Sequence, residues 1–159
     1  MSSDEMGTDD QFVELMRETR LSSSLTVLFS QAVAERLGVH STDIETMDLL
    51  HIYGPMTAGQ LAEHAGLTSG ATTRLIDRLE RAGFVRRRQD PDDRRRVIIE
   101  PSWEQAGVIM ACFEGVGRRM GELWASYSPE ELATIIDFMR RGNRIMAEEN
   151  AALRSQPLD

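Results

Sequence analysis

The sequence predicts a mainly α-helical fold carrying one small β-hairpin, a winged helix-turn-helix with long helices before and after it. Three observations predict it. Two short capped helices meet around Gly66-Leu67; two arginine-rich, strand-like runs flank Asp90-Pro91-Asp92-Asp93; and both ends of the chain repeat apolar residues at three- and four-residue steps.

From about Asp10 to Leu37 the apolar residues Phe12, Leu15, Met16, Leu25, Leu28, Phe29, Ala32 and Val33 follow helical spacing, and Gly38 closes the run. Ser41 or Thr42 opens a second helix, which Gly54-Pro55 stops. Thr57 is a suitable N-cap for a helix over Ala58–Ala65, ended at Gly66. Thr68 or Ser69 caps the next helix, which runs to Ala82 and stops at Gly83. Leu61, Leu67, Leu75, Ile76 and Leu79 supply the buried face of this pair, and the small Ala62 lets the helices cross closely.

Phe84-Val85-Arg86-Arg87-Arg88 and Arg94-Arg95-Arg96-Val97-Ile98-Ile99 then read as strands, with Asp-Pro-Asp-Asp as turn chemistry between them. Asp90, Asp92 and Asp93 are expected to pair with several of the arginines and stiffen the hairpin. Pro101-Ser102 is expected to open a long helix with a seam at Ile109, Phe113, Val116, Met120, Leu123 and Tyr127. Ser128-Pro129-Glu130-Glu131 starts the last helix, with Ser128 as N-cap and Glu131 completing a capping box. The expected organisation is a flexible acidic start (1–10), an N-terminal dimerisation helix (11–40), a winged helix-turn-helix domain (41–101), C-terminal dimerisation helices (102–154) and a flexible tail (155–159). The terminal seams have no obvious partner within one chain, so two copies are expected to share them.

Charge points the same way once its distribution is considered. The chain carries −8 overall, yet Thr57–Arg96 holds nine Arg against six Asp and Glu, or +3, leaving −11 elsewhere. A local basic module matters more to a polyanion than the total. There is no lysine, so every basic contact is a guanidinium, suited to bidentate phosphate and guanine contacts and to narrow minor grooves. No apolar stretch approaches the ~20 residues that span a bilayer, and the acidic start is no signal peptide, so a cytoplasmic location is expected.

The expected recognition helix presents Thr68, Ser69, Gly70, Ala71, Thr72, Thr73 and Arg74, leading to Arg78. Small hydroxyl residues at a helix N-terminus can approach phosphates and base edges, and Arg74 is the long side chain placed to reach guanine or a phosphate. In the hairpin Arg86, Arg88, Asp93, Arg94, Arg95 and Arg96 are the expected contact residues; strand alternation sends only some of them to one face. A solvated, salt-bridged hairpin is the commoner fate of such a charge run. Its position beside a helix-turn-helix shifts the reading to double-stranded DNA, with a winged-helix protein-interaction module as the alternative.

Cys112 is open to two readings, a redox sensor or a buried inert thiol, and its place in the Ile109–Phe113 apolar stretch with no adjacent Arg or His favours the second. His40, His51 and His64 show no metal-ligand spacing, and no nucleophile elbow or P-loop occurs, so no catalytic residue, metal or cofactor is expected.

These motifs together resemble the MarR family (multiple antibiotic resistance regulators). The resemblance rests on Gly54-Pro55-Met56-Thr57, Gln60-Leu61-Ala62-Glu63, Gly66-Leu67-Thr68, Thr72-Thr73-Arg74-Leu75-Ile76-Asp77-Arg78-Leu79-Glu80, Gly83-Phe84-Val85-Arg86-Arg87 and above all Asp90-Pro91-Asp92-Asp93-Arg94-Arg95. It is close over about Thr42 to Ser102. It implies a homodimeric transcriptional regulator, usually a repressor, on a pseudo-palindromic operator, with Thr68–Arg74 in the major groove and the wing in the minor groove. Arg95 takes the wing-tip position, with Asp93 as its local partner. It also implies release by a small aromatic or phenolic effector; from apolar pattern, the cleft would be lined by Phe29, Val33, Met47, His51 and Phe113. Pro101-Ser102 departs from the family's usual Leu-Thr pair, and Cys112 is not where the family's peroxide-sensing cysteine lies.

Overall fold

A computed structural model describes residues 7–155, so the expected segments 1–6 and 156–159 lie outside the described residues. The chain forms two compact units that divide between Cys112 and Phe113.

The first unit opens with α1 (Thr8–Leu37) and α2 (Ser41–Tyr53), followed by the two-residue strand β1 (Met56–Thr57), α3 (Ala58–Ala65) and α4 (Ser69–Arg81). Two longer strands follow, β2 (Val85–Gln89) and β3 (Val97–Pro101), and then the start of α5 (Ala106–Trp124). Helix α1 begins three residues ahead of the expected boundary at 11. Only Val33 and Ala34 of α1 are buried, so just its C-terminal turns pack within this unit.

Local chemistry sets most boundaries. Thr57 and Gln60 form a reciprocal capping box: the Gln60 N–H donates to Thr57 Oγ1 at 3.3 Å and the Thr57 N–H to Gln60 Oε1 at 2.9 Å. Gly66 adopts the left-handed conformation (φ 64°), and the Leu67 N–H reaches back to the Ala62 carbonyl at 2.9 Å. The chain thus leaves α3 and enters α4 within three residues. Thr68 caps α4 by accepting the Ala71 N–H at 3.3 Å.

The sheet is antiparallel in the order β1-β3-β2. Met56 lies opposite Ile99, and β2 pairs with β3 from Val85↔Pro101 to Gln89↔Val97. Strand β1 was not expected; two residues carry too little periodicity to announce a strand. One core joins these elements: Leu50, Met56, Leu61, Leu75, Ile76, Leu79, Phe84, Val85 and Ile99 are all buried. Each such side chain contributes about 1.5–3 kcal/mol on removal from water. Leu37, Val39 and Ile109 pack against the same core, so this compact unit extends beyond the expected 41–101 at both ends.

The expectation that Pro101-Ser102 opens a helix is corrected. Pro101 is the last residue of β3, and the Ser102 N–H donates to the Phe84 carbonyl at 2.9 Å, so the sheet claims both residues. Ser102 Oγ accepts the Glu104 N–H at 3.3 Å, and α5 starts only at Ala106.

The second unit holds the remainder of α5 and all of α6 (Pro129–Ser155). Ser128 and Glu131 make the expected capping box, with the Glu131 N–H on Ser128 Oγ at 3.2 Å and the Ser128 N–H on Glu131 Oε2 at 2.8 Å. No described residue of α5 or α6 is buried.

Candidate nucleic-acid interface

Helix α4 buries Thr72, Leu75, Ile76 and Leu79 along one face. Its opposite face exposes Ser69, Gly70, Thr73, Arg74 and Arg81, with the exposed cap Thr68 beside them, while Ala71 is half-buried. Thr72, expected among the contact residues, is instead a core residue at 1% exposure, its hydroxyl donating to the Thr68 carbonyl at 3.0 Å. It sits three and four residues before Leu75 and Ile76, on the apolar face, so it cannot meet a ligand on the opposite one.

Arg78 also has another task. Its Nε donates to Asp43 Oδ2 at 2.9 Å and its Nη2 to Asp43 Oδ1 at 2.5 Å. Asp43, on α2, is fully buried and also accepts the His40 N–H at 3.0 Å, closing the first turn of α2. One carboxylate therefore caps α2 and pins α4 against it. Hydrogen bonding to Asp43 raises the Arg78 pKa still further, so this guanidinium stays charged. Asp43 was not singled out in the sequence; its only local signal was a carboxylate at the third position of a helix.

The wing divides its arginines by strand alternation. Arg87 turns toward α4 and is held by Glu80 and by Asp77, the latter at 2.5 Å. Its backbone N–H also donates to Glu80 at 3.1 Å. Arg86 and Arg88 point to the other face and share Glu100 on β3, at 2.6 and 3.0 Å. Both are exposed, but each faces a carboxylate.

The tip is organised differently from expectation. Asp90 Oδ1 accepts the Asp92 N–H at 2.9 Å, and Asp93 Oδ1 accepts the Arg95 N–H at 3.0 Å. The Arg96 N–H donates to the Asp93 carbonyl at 2.8 Å. These aspartates fold the turn through backbone amides rather than neutralising guanidiniums. The exception is Arg96, whose Nε is 3.6 Å from Asp93 Oδ2. Arg94 and Arg95 are exposed and make no ion pair with a described residue; the same is true of Arg74 and Arg81. The positive charge of α4 and the wing tip that no described carboxylate pairs with thus resides on those four side chains.

Glu100 gives a pH-dependent expectation. Hydrogen bonds from Arg88 and then Arg86 hold its carboxyl below the usual glutamate range. A carboxyl with a depressed folded-state pKa stabilises the fold above its unfolded-state value, and that contribution is lost as pH falls through the lower, folded-state value. Melting temperature followed from neutral pH to below pH ~4 should therefore fall more steeply for the wild type than for Glu100→Gln. Parallel curves would show that the pair adds nothing to the hairpin.

The residues expected to line an effector cleft are distributed as follows. Val33 is buried, Met47 is half-buried against the core, Phe29 and His51 are exposed, and Phe113 belongs to the second unit. A cleft of about 190 Å³ in the first unit is lined by other residues, among them Thr42, Glu45, Leu49, His64 and Leu67. His64 stacks on Tyr53 with ring centroids 4.5 Å apart. Cys112 is free and half-buried. Among the described residues no cluster of His, Cys, Asp and Glu could hold a metal ion, and no helix is long and apolar enough to cross a membrane.

A helix-turn-helix packed on a three-stranded sheet, with its hairpin beside the second helix, defines a winged helix-turn-helix protein. The chain belongs to the MarR family of helix-turn-helix transcriptional regulators. The family model matches residues 39–97. Over 129 residues the chain is 43% identical to the HTH-type transcriptional regulator YcgE of Bacillus subtilis, covering 81% of this chain and 84% of that one. Its fold is similar to that of a MarR family protein from Bacillus stearothermophilus, with a TM-score of 0.65 at 22% identity over 89% of this chain and 99% of that one. A mutant MarR from E. coli complexed with operator DNA matches with a TM-score of 0.53 at 20% identity, over 86% of this chain and 98% of that one.

Proposed function

We propose that this protein is a homodimeric repressor that works in the cytoplasm on a pseudo-palindromic operator and releases it when a small aromatic or phenolic effector binds. The observation that carries the DNA-binding surface is the placement of unneutralised arginines. Arg74 lies on the exposed face of α4 and Arg94 and Arg95 at the wing tip, while the neighbouring carboxylates are spent on Arg78, Arg87 and backbone amides. The exposed N-terminal face of α4 would enter the major groove and the wing tip the adjacent minor groove. The operator complex of the E. coli MarR mutant supports this use of the fold.

The dimer is supported by apolar surface that one chain leaves uncovered. Phe12, Leu28, Ile145 and Met146 are each more than half exposed along α1 and α6. Rows of this kind on long helices are buried by association. The effector would act by binding more tightly to a dimer whose two recognition helices are spaced wrongly for successive major grooves.

Selection of bound sequences from a random duplex pool, followed by anisotropy titration of the winner over a range of salt, tests the proposal. A two-fold symmetric site bound by one dimer, with affinity falling steeply with salt, is expected. Phenolic and aromatic carboxylate probes should then weaken binding. A monomer in sedimentation at the binding concentration, or no enriched sequence, rejects the reading.

A further inference from the structure

We propose that Glu100 limits how tightly this protein holds DNA: it occupies, as an internal anion, a two-arginine site on the outer face of the wing that would otherwise take the DNA backbone beyond the two-fold symmetric site. This rests on the DNA-binding role proposed above and adds to it a residue that works against affinity.

The sheet places the site. Strand β3 is central, with Arg86 directly opposite Glu100 and Arg88 opposite Ile98. Alternation along β2 puts Val85 and Arg87 on one face and Arg86 and Arg88 on the other. The first face belongs to the core and to α4, since Val85 is buried and Arg87 is held by Asp77 and Glu80. Arg86 and Arg88 therefore face away from α4. With α4 in a major groove and the tip in the adjacent minor groove, that outer face looks along the duplex toward phosphates past the minor groove. Arg88 stands one residue before Gln89, the last of β2, and Arg86 lies roughly 7 Å further from the tip at strand spacing. The two side chains form a short row that climbs from the tip.

The present occupant of this row is a carboxylate. Arg86 Nε donates to Glu100 Oε1 at 2.6 Å and Arg88 Nε to Glu100 Oε2 at 3.0 Å, one oxygen for each guanidinium. Arg88 Nη1 also donates to the Gln89 carbonyl at 3.2 Å. Glu100 is only 12% exposed, whereas Arg86 and Arg88 are 63% and 45% exposed. The cations thus keep an open side, and the anion lies beneath them. Hydrogen bonds from both arginines hold the Glu100 carboxyl below the usual glutamate range, so it is charged at neutral pH and repels an arriving phosphate. Contact there exchanges an internal ion pair for an external one, and exposed pairs are individually weak. The exchange is nearly balanced while Glu100 is present. With a neutral amide in its place, both guanidiniums would turn to the backbone without losing an ion pair.

The test uses the selected operator in two lengths. One duplex ends at the outer edge of the minor grooves taken by the wings, and the other continues for about ten base pairs, one helical turn, on each side. Anisotropy titration over a range of salt compares the wild type, Glu100→Gln, the Arg86→Ala/Arg88→Ala pair and the triple variant, with circular dichroism confirming each fold. In Glu100→Gln the extended duplex should gain about fivefold over the short one relative to the wild type, the upper range of one exposed ion pair. Its salt slope on the extended duplex should steepen by about one to two, one for each added phosphate contact. The triple variant should show neither change relative to the arginine pair, because Glu100 then has nothing to release. Equal tightening of both duplexes by Glu100→Gln would reduce its effect to net charge and overturn the site. So would a length-dependent gain that persists in the triple variant, or no gain at all while the wild type still binds its operator. A wild type that enriches no symmetric site rejects the DNA-binding role itself, and this proposal with it.

Discussion

Replacing Arg78 by alanine is expected to destabilise the first unit by about 3–5 kcal/mol, the cost of leaving a buried charge without its partner. Asp43 is wholly inside, and without Arg78 its carboxylate keeps only the His40 N–H. Asp43→Ala is expected to cost less, because the Arg78 side chain is 35% exposed and can turn to water. The double variant should then be more stable than the sum of the two single losses predicts. Urea unfolding of the full chain at one fixed protein concentration measures all three, since association would otherwise shift the midpoint. A loss below about 1 kcal/mol for Arg78→Ala, the range of an exposed pair, would show that water reaches Asp43 and that the ion pair is not what holds α4 on α2.

The second large effect is expected at the wing tip. Arg94→Ala and Arg95→Ala together should weaken binding to the selected operator by about 100-fold, roughly 1.4 kcal/mol for each lost guanidinium contact. Neither side chain bonds to a described residue, so the melting temperature should stay where it is. Arg96→Ala supplies the internal comparison. Its Nε already faces Asp93 at 3.6 Å, and its removal should weaken binding less. Equal losses at all three positions would mean that the tip acts through net charge rather than through two placed side chains.

How much of this could be read from the sequence depends on how far apart the interacting residues lie. Helix ends were legible because their chemistry is local: Thr57 with Gln60, Thr68 with Ala71, and Ser128 with Glu131 each act across three residues. The hairpin was legible because Asp-Pro-Asp-Asp turns the chain whatever surrounds it. The Asp43–Arg78 pair spans 35 residues and joins two helices, and no periodicity announces it. The junction after the wing misled for the same reason: Pro101-Ser102 resembles a helix start locally, but pairing with Val85 and Phe84 decides otherwise. Thr72 was within reach, since its spacing to Leu75, Ile76 and Leu79 places it on the apolar stripe; its polar side chain obscured that position.

The wing tip presents Arg94 and Arg95 on a backbone that is shaped in advance. The turn at the wing tip is closed by its own aspartates, which bind the amides of Asp92 and Arg95, and by the Arg96 amide on the Asp93 carbonyl. Its backbone shape therefore does not wait on a phosphate to arrive. Docking the tip against a polyanion would restrict a few side-chain torsions but would not have to fold a loop, so the ordering entropy lost there is that of rotamers alone. Association at this point should be governed by the rate of encounter, and acceleration at low ionic strength should reflect attraction between charges rather than a conformational step.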